Sequence, residues 1–297
     1  MDKQQQEDFA KAKELYQEEK WQEAANIFLN LYGEIEDDEL AVLTAKTLCY
    51  SRQYTLAYQI VFQSMNAFRN DISFVVEVGI KSQHFISTRI LIRQQPISFQ
   101  EKELPRLTEA EENYHEQFRE IVKSRLRSFY HLGDYPFDEQ RQRLLSADQL
   151  PLEDFITGAV FLLRDPFTHQ FIKAEILNEL QQVGYKKKIT MLCVDGKEHH
   201  FIPNELPLVY ENPIFVKCQE ILREKLAQGD PQLYTMLSGQ LNIQLILLNP
   251  LINEVITDPN AWINVMLRLA TGEEINDDSE TILNWQQKLN KFLDELQ

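Results

Sequence analysis

Glycine is scarce in this chain, with nine among 297 residues, about half the usual share. So few flexible points leave no phosphate-cradling loop: GxGxxG, GxxxxGK[ST] and GxSxG are all missing, as is the zinc motif HExxH. Cysteine is limited to Cys49, Cys193 and Cys218, an odd number without CxxC spacing. That argues against a disulfide framework and points to a reducing, cytoplasmic setting. Basic residues are also short, with 30 Lys and Arg against 46 Asp and Glu, a net charge of -16 and a pI near 4.9. None of the regions 1–100, 101–164, 165–211 and 212–297 is net basic, which disfavours nucleic acid as a partner. The longest weakly charged apolar run, Leu245 to Ile252, is interrupted by Asn249 and Pro250 and is too short to span a bilayer. Met1 to Glu7 is polar and acidic, unlike a secretory signal.

What is present is a globular composition, 43% hydrophobic and 26% charged, rich in helix formers. At about 150 residues per domain the length suits one large or two ordinary domains. An internal repeat organises the first third. Ala12, Leu15, Trp21, Ala24 and Phe28 return as Ala45, Leu48, Tyr54, Ala57 and Val61, each 33 residues later. Each unit reads as two amphipathic helices, 8–18 with 21–31 and 40–51 with 54–67, that cross closely where the side chain is Ala. A third unit over 72–94 offers Gly79 at offset 34 from Ala45, but its second helix, Phe85 to Arg93, falls out of register.

These residues resemble the tetratricopeptide repeat, in which a small residue in helix A meets a helix B opened by an aromatic, with Ala three positions later and a large apolar residue four beyond. The family's opening Trp, its Gly and its closing Pro are replaced or absent here. The resemblance implies an α-α superhelix of stacked hairpins over residues 1–95 and a concave face that takes extended peptides. Carried over position by position, the groove holds Phe9, Lys13, Tyr16 and Gln17 from the first unit and Val42, Lys46, Cys49 and Tyr50 from the second. Lys13 and Lys46 are equivalent, with Lys81 nearby. Such a row would meet an acidic peptide or a chain terminus, or be a plain solvated face, as the family's carboxylate-holding Asn residues are missing.

Residues 96–297 read as a further helical array, possibly continuous with the first, with a β-hairpin inserted near 188–203. Pro96 and Pro105 bracket a polar connector, and Thr108 with Glu111 forms a capping box that starts a helix over 109–131. Pro151 opens a helix to Arg164, and Asp165-Pro166 starts the next, which resembles the second helix of a HEAT repeat over 165–181. Asp195-Gly196 between two strand-like runs predicts a type I′ turn. Turn and capping residues then mark helices over 213–227, 231–248, 258–271 and 279–296.

Helix, turn, helix and hairpin over 152–203 is also the order of a winged helix, with Lys186, Lys187, Lys188 and Lys197 set to touch phosphates. The second of those helices carries Glu175 and Glu179 beside Lys173, and 165–203 has five basic and five acidic residues. His199 and His200 are adjacent on a strand and point to opposite faces, so they do not share a metal. His131 with Asp134 suits a base and its orienter, without an accompanying nucleophile. No motif asks for a cofactor or a metal. The expectation is therefore an all-α protein with one β-hairpin that binds a protein or peptide through Phe9, Lys13, Tyr16, Lys46 and Tyr50, without catalysis, off the membrane, as a monomer or weak dimer. A nucleic-acid regulator using 152–203 is the second reading, and an enzyme with an unrecognised pocket the third.

Overall fold

The computed structural model of the chain describes residues 1–227, 229–273 and 280–294. Regular structure among them consists of sixteen α-helices, four short 3-10 helices and one two-stranded antiparallel sheet, an all-α fold with a single β-hairpin. Among the described residues no helix is long and apolar enough to cross a membrane. The chain divides into two compact units, Met1–Val122 with Asp148–Leu152, and Lys123–Ala147 with Glu153–Gln297.

The first unit stacks α1 (Lys3–Gln17), α2 (Trp21–Tyr32), α3 (Asp38–Tyr50), α4 (Tyr54–Gln63), α5 (Ile72–Lys81), α6 (Phe85–Arg93) and α7 (Ile97–Gln117), each packed on the next. Ala12, Ala24, Ala45 and Ala57 are all fully buried, as close helix crossings require. The hairpins share one turn. Glu19, Arg52 and Gln83 take positive φ values of 59°, 63° and 66°. The following amides, Lys20, Gln53 and His84, donate back five residues to the Leu15, Leu48 and Gly79 carbonyls at 2.8 to 2.9 Å.

That turn restores the register of the third hairpin. The spacing from Arg52 to Gln83 is 31 rather than 33, so Phe85 is the counterpart of Trp21 and Tyr54. Val76, fully buried, then takes the place of Ala12 and Ala45, while Gly79 replaces Leu15 and Leu48. A methyl group at Gly79 would sit on the Thr88 side chain, so glycine there permits α5 and α6 to approach. Left-handed backbone at non-glycine residues costs about 1–2 kcal/mol, part of which glycine returns as greater freedom of the unfolded chain. We expect Gly at 19, 52 or 83 to raise stability by about 0.5–1 kcal/mol each, read as a higher urea midpoint at unchanged slope. A loss of stability would mean that the side chains at these turns contribute more than their strain costs.

The connector expected between Pro96 and Thr108 is helical instead. α7 starts at Ile97 and runs through Pro105. An interior proline costs a helix about 3 kcal/mol, and here Leu107, Glu111 and Tyr114 anchor the helix by burial against the layer below. The helix expected over 109–131 breaks at Phe118 (φ -122°, ψ 36°), after which α8 covers Arg119–Tyr130. The boundary between the two units falls within α8.

The second unit adds α9 (Phe137–Ala147), α10 (Leu152–Leu162), α11 (Gln170–Gln182), β1 (Ile189–Leu192) and β2 (Glu198–Phe201). It ends with α12 (Pro213–Leu226), α13 (Pro231–Leu248), α14 (Ile252–Val255), α15 (Pro259–Thr271) and α16 (Glu280–Asp294). Ser279, Glu295 and Leu296 of the last expected helix lie outside the described residues. Asn212, Asp230 and Asp258 each cap a helix that has Pro at its first position. Trp262, Phe215, Leu241, Leu245, Leu248 and Leu289 lie in one core.

Two local expectations change. Helix α11 begins at Gln170, not at Pro166, because the Asp165 carboxylate accepts from Phe167 N (3.1 Å) and Thr168 Oγ1 (2.7 Å), folding 165–168 into a side-chain turn. His169 is the cap, accepting from Phe171 N at 3.1 Å. In the hairpin Ile189 faces Phe201, and of the turn residues only Gly196 has positive φ, 83°. Gly196 N donates to Cys193 O, so Val194 and Asp195 form the centre of the turn and Gly196 follows in the left-handed region, rather than Asp195-Gly196 making a type I′ turn. The Asp195 carboxylate fixes this form by accepting from Lys197 N at 3.0 Å and contacting His199 Nε2 at 2.8 Å.

Candidate functional site

The residues carried over to a peptide groove lie on α1 and α3 of the first unit. Tyr16 near the end of α1 and Tyr50 at the end of α3 approach to 6.2 Å between ring centroids. Trp21 at the start of α2 joins them, 5.1 Å from Tyr16 and 4.7 Å from Tyr50. Burial, then the neighbouring Tyr50 hydroxyl, raises the Tyr16 pKa. Tyr50 remains half-exposed, so this aromatic cluster presents a surface to solvent. A shallow cleft of about 410 Å³ beside it is lined by Glu19, Lys20, Trp21, Tyr50 and Arg52. Trp21 is the member that family positions alone do not nominate. Its signal lay in the repeat itself, as the aromatic that opens helix B.

The lysines are engaged within the stack. Lys13 Nζ lies 2.6 Å from Glu39 and 4.9 Å from the Phe9 ring centroid. Lys46 Nζ repeats the arrangement, 2.8 Å from Asp71 and 5.4 Å from the Phe74 ring centroid. Lys13 and Lys46 thus each meet an acid at the start of the next A helix, whereas Lys81 lies over the Tyr54 ring, 5.8 Å from its centroid. Phe9 itself packs edge-on against Phe28, 5.9 Å between centroids. The aromatic pair Tyr16 and Tyr50 is brought together, whereas Lys13 and Lys46 each serve a junction between successive units.

A second constellation surrounds α6. His84 Nδ1 lies 2.5 Å from Asp148 Oδ2, and the Tyr58 ring stacks on His84 at 3.7 Å. Asp148 Oδ1 accepts from both Ser87 N (2.6 Å) and Ser87 Oγ (2.7 Å). Burial, and secondly the Asp148 charge, push the Tyr58 hydroxyl up to about 12. Although Ser, His and Asp are present, the serine hydroxyl donates to the aspartate, so the histidine does not receive its proton as a nucleophilic arrangement requires. The geometry is that of a helix cap supplied from afar. The Asp148 carbonyl accepts from Ile86 N and its carboxylate from Ser87 N, while α6 has no side-chain cap of its own. Asp148→Ala is expected to cost about 2 kcal/mol, measured by urea unfolding, with amide exchange accelerated at Ser87, whose acceptor is the deleted carboxylate, and not at Ile86, whose backbone acceptor remains. Unchanged exchange at Ser87 would remove the capping role.

In the second unit, His131 Nδ1 and Asp134 Oδ2 are 3.0 Å apart as the pairing anticipates, at the rim of a cleft of about 500 Å³. Leu126, Tyr130 and Phe161 form its apolar surface, with Lys123 and Arg127 beside them. A Cβ at Gly133 would meet the Asp165 carboxylate, so a larger residue there would have to displace that side chain from its turn. Lys186, Lys187, Lys188 and Lys197 are all exposed. Helix α11, the recognition helix of a winged-helix reading, has no exposed residue and packs against α9 and α13, so it offers no face to a groove in DNA. His199 pairs with Asp195, and His200 Nδ1 with Thr190 Oγ1 at 3.0 Å. Among the described residues no three His, Cys, Asp or Glu side chains gather to hold a metal. Comparison with protein-family models, curated proteins and solved structures finds no match to this chain.

Proposed function

We propose that this chain is a non-catalytic protein-binding scaffold, of the adaptor or co-chaperone kind, that holds a peptide or protein partner on its stacked helical hairpins. The observation that carries the reading is the aromatic cluster of part-buried Tyr16 and Trp21 with exposed Tyr50, on a stack whose three turns share one geometry. Amphipathic rings on a rigid support give contact area at small entropic cost, which is why tyrosine and tryptophan recur at the centres of interfaces. The likeness of the first third to tetratricopeptide repeats supports the same reading. The ion pairs made by Lys13 and Lys46 shift the expected binding chemistry from charge toward aromatic contact.

The test is affinity capture from native extract at low and moderate salt, with nuclease treatment, read by mass spectrometry. A stoichiometric protein partner that survives nuclease and is lost from Tyr16→Ala/Tyr50→Ala is the expected result, with the helical circular dichroism of the variant unchanged. Lys13→Ala/Lys46→Ala is expected to lower stability by up to about 1 kcal/mol per pair and to weaken capture less. Recovery of nucleic acid alone, or no stoichiometric partner, overturns the scaffold reading.

A further inference from the structure

Another face of the same stack is unused by that reading. Phe62, in the last turn of α4, is 70% exposed, and Met65, in the following turn, 37%. Both side chains line two adjoining concavities. One is an apolar groove of about 160 Å³ between α4 and α6, with Tyr58, Val61, Ile90 and Leu91 along it. The other is a wider cleft of about 1040 Å³, walled by Glu34, Glu36, Asp37 and Asp38.

The charge of that wall is uncompensated. No Lys, Arg or His is among the residues lining either concavity. Glu34 accepts from Gln5 at 3.0 Å and Asp37 caps α3 through Leu40 N at 2.8 Å, both neutral donors. The next acid along, Glu39, already holds Lys13. Four carboxylates within five residues therefore face a cleft whose other wall carries exposed Phe62 and Met65 among the uncharged polar residues Gln63, Ser64 and Asn66. Apolar anchors beside a wall of one charge sign define the chemistry of what fits: large apolar side chains on one stripe and cations on its flank. A second copy of this chain fits poorly, because its net charge of -16 is repelled by the same wall.

We propose that Phe62, Met65 and the Glu34–Asp38 wall dock a basic amphipathic segment of a partner protein, with its apolar residues on Phe62 and Met65 and its Lys or Arg residues against the carboxylates. The inference rests on the scaffold reading and adds to it the partner's chemistry and the face that holds it.

The test uses the full-length protein and a fluorescent peptide of about 14 residues, Leu at i, i+3, i+4 and i+7 and Lys elsewhere, with a twin carrying Glu for Lys. Anisotropy is expected to show salt-sensitive binding of the Lys peptide and none of the twin. Phe62→Ser and Glu36→Lys/Asp38→Lys should each weaken it at least about tenfold. Glu112→Lys/Glu224→Lys, an equal change of net charge elsewhere on the surface, should leave it unaltered. Equal affinity across all variants, no binding at about 100 μM peptide, or a dimer in light scattering that Phe62→Ser dissolves would each overturn the proposal. A cellular partner retained by the Phe62 and Glu36/Asp38 variants but lost from Tyr16→Ala/Tyr50→Ala would overturn this groove and leave the scaffold reading intact. Absence of any stoichiometric partner would remove that reading itself.

Discussion

Glu111→Ala is expected to destabilise the first unit by about 3–5 kcal/mol, the largest loss any single substitution discussed here should produce. Arg89 on α6 and Glu111 on α7 meet at 2.7 Å with side chains only 7% and 6% exposed. The same guanidinium nitrogen, Nη2, also donates to Thr108 Oγ1 at 3.2 Å. Arg93, a turn further along α6, has its pKa lowered by burial and then by Arg89, so two cations crowd this side of the helix. Removing the carboxylate strands a buried guanidinium that cannot shed its proton. Removing both charges does not: Arg89→Leu/Glu111→Leu should recover most of the loss, because the desolvation cost of the pair disappears with its attraction. Urea unfolding followed by circular dichroism measures both. A loss below about 1 kcal/mol for the single variant would mean that water reaches the pair.

That pair also marks where the sequence stops being readable. The hairpins α1 to α4 follow from matched alanines and aromatics spaced 33 apart, since the period belongs to each local unit and survives without knowledge of the rest. The starts of α12, α13 and α15 follow from Asn or Asp followed by Pro, a cap that acts within three residues. The third hairpin was obscured because its spacing shortens to 31, and only the backbone of Gln83 reveals the register. Arg89 with Glu111, and the Asp148 cap on α6 from 61 residues away, are non-local, and nothing in the local pattern announces them. α7 misled for a related reason: Pro105 and a capping box at Thr108 are correct local signals for a break, overridden by the burial of Leu107 and Glu111. At the candidate site, Tyr16 and Tyr50 were legible through the repeat, but the pairing of Lys13 with Glu39 and Lys46 with Asp71 crosses from one unit to the next. Periodicity says that two lysines are equivalent; it does not say which acid each of them meets.

Lys173 is the sharpest case, and substituting it should stabilise the protein. By sequence it belongs to a charged face of α11 beside Glu175, yet its side chain is fully buried. Its ammonium donates to the Leu192 carbonyl at the end of β1, at 3.2 Å. Burial, partly offset by Asp165 and Cys193, takes its pKa down to about 8 from 10.5. Between those values the unfolded chain holds a proton that the folded chain has released, so folding gains stability as pH rises from about 8 to 10.5 and carries the whole penalty below 8. The shift corresponds to about 3 kcal/mol at neutral pH. Lys173→Met, which keeps the length and drops the charge, should therefore be about 1–3 kcal/mol more stable than the wild type at pH 7, after the lost carbonyl contact is deducted. The comparison must be made between variants at each pH. Burial also pushes Cys193 and Cys218 up to about 12, and those thiols make the wild type less stable above about pH 9, where the unfolded chain ionises first. Measured as a difference in urea midpoints, the advantage of Lys173→Met should be greatest below pH 8 and shrink toward pH 10. An advantage independent of pH would show that the ammonium is not what the core resists; a less stable variant at pH 7 would show that the Leu192 contact outweighs the burial of charge.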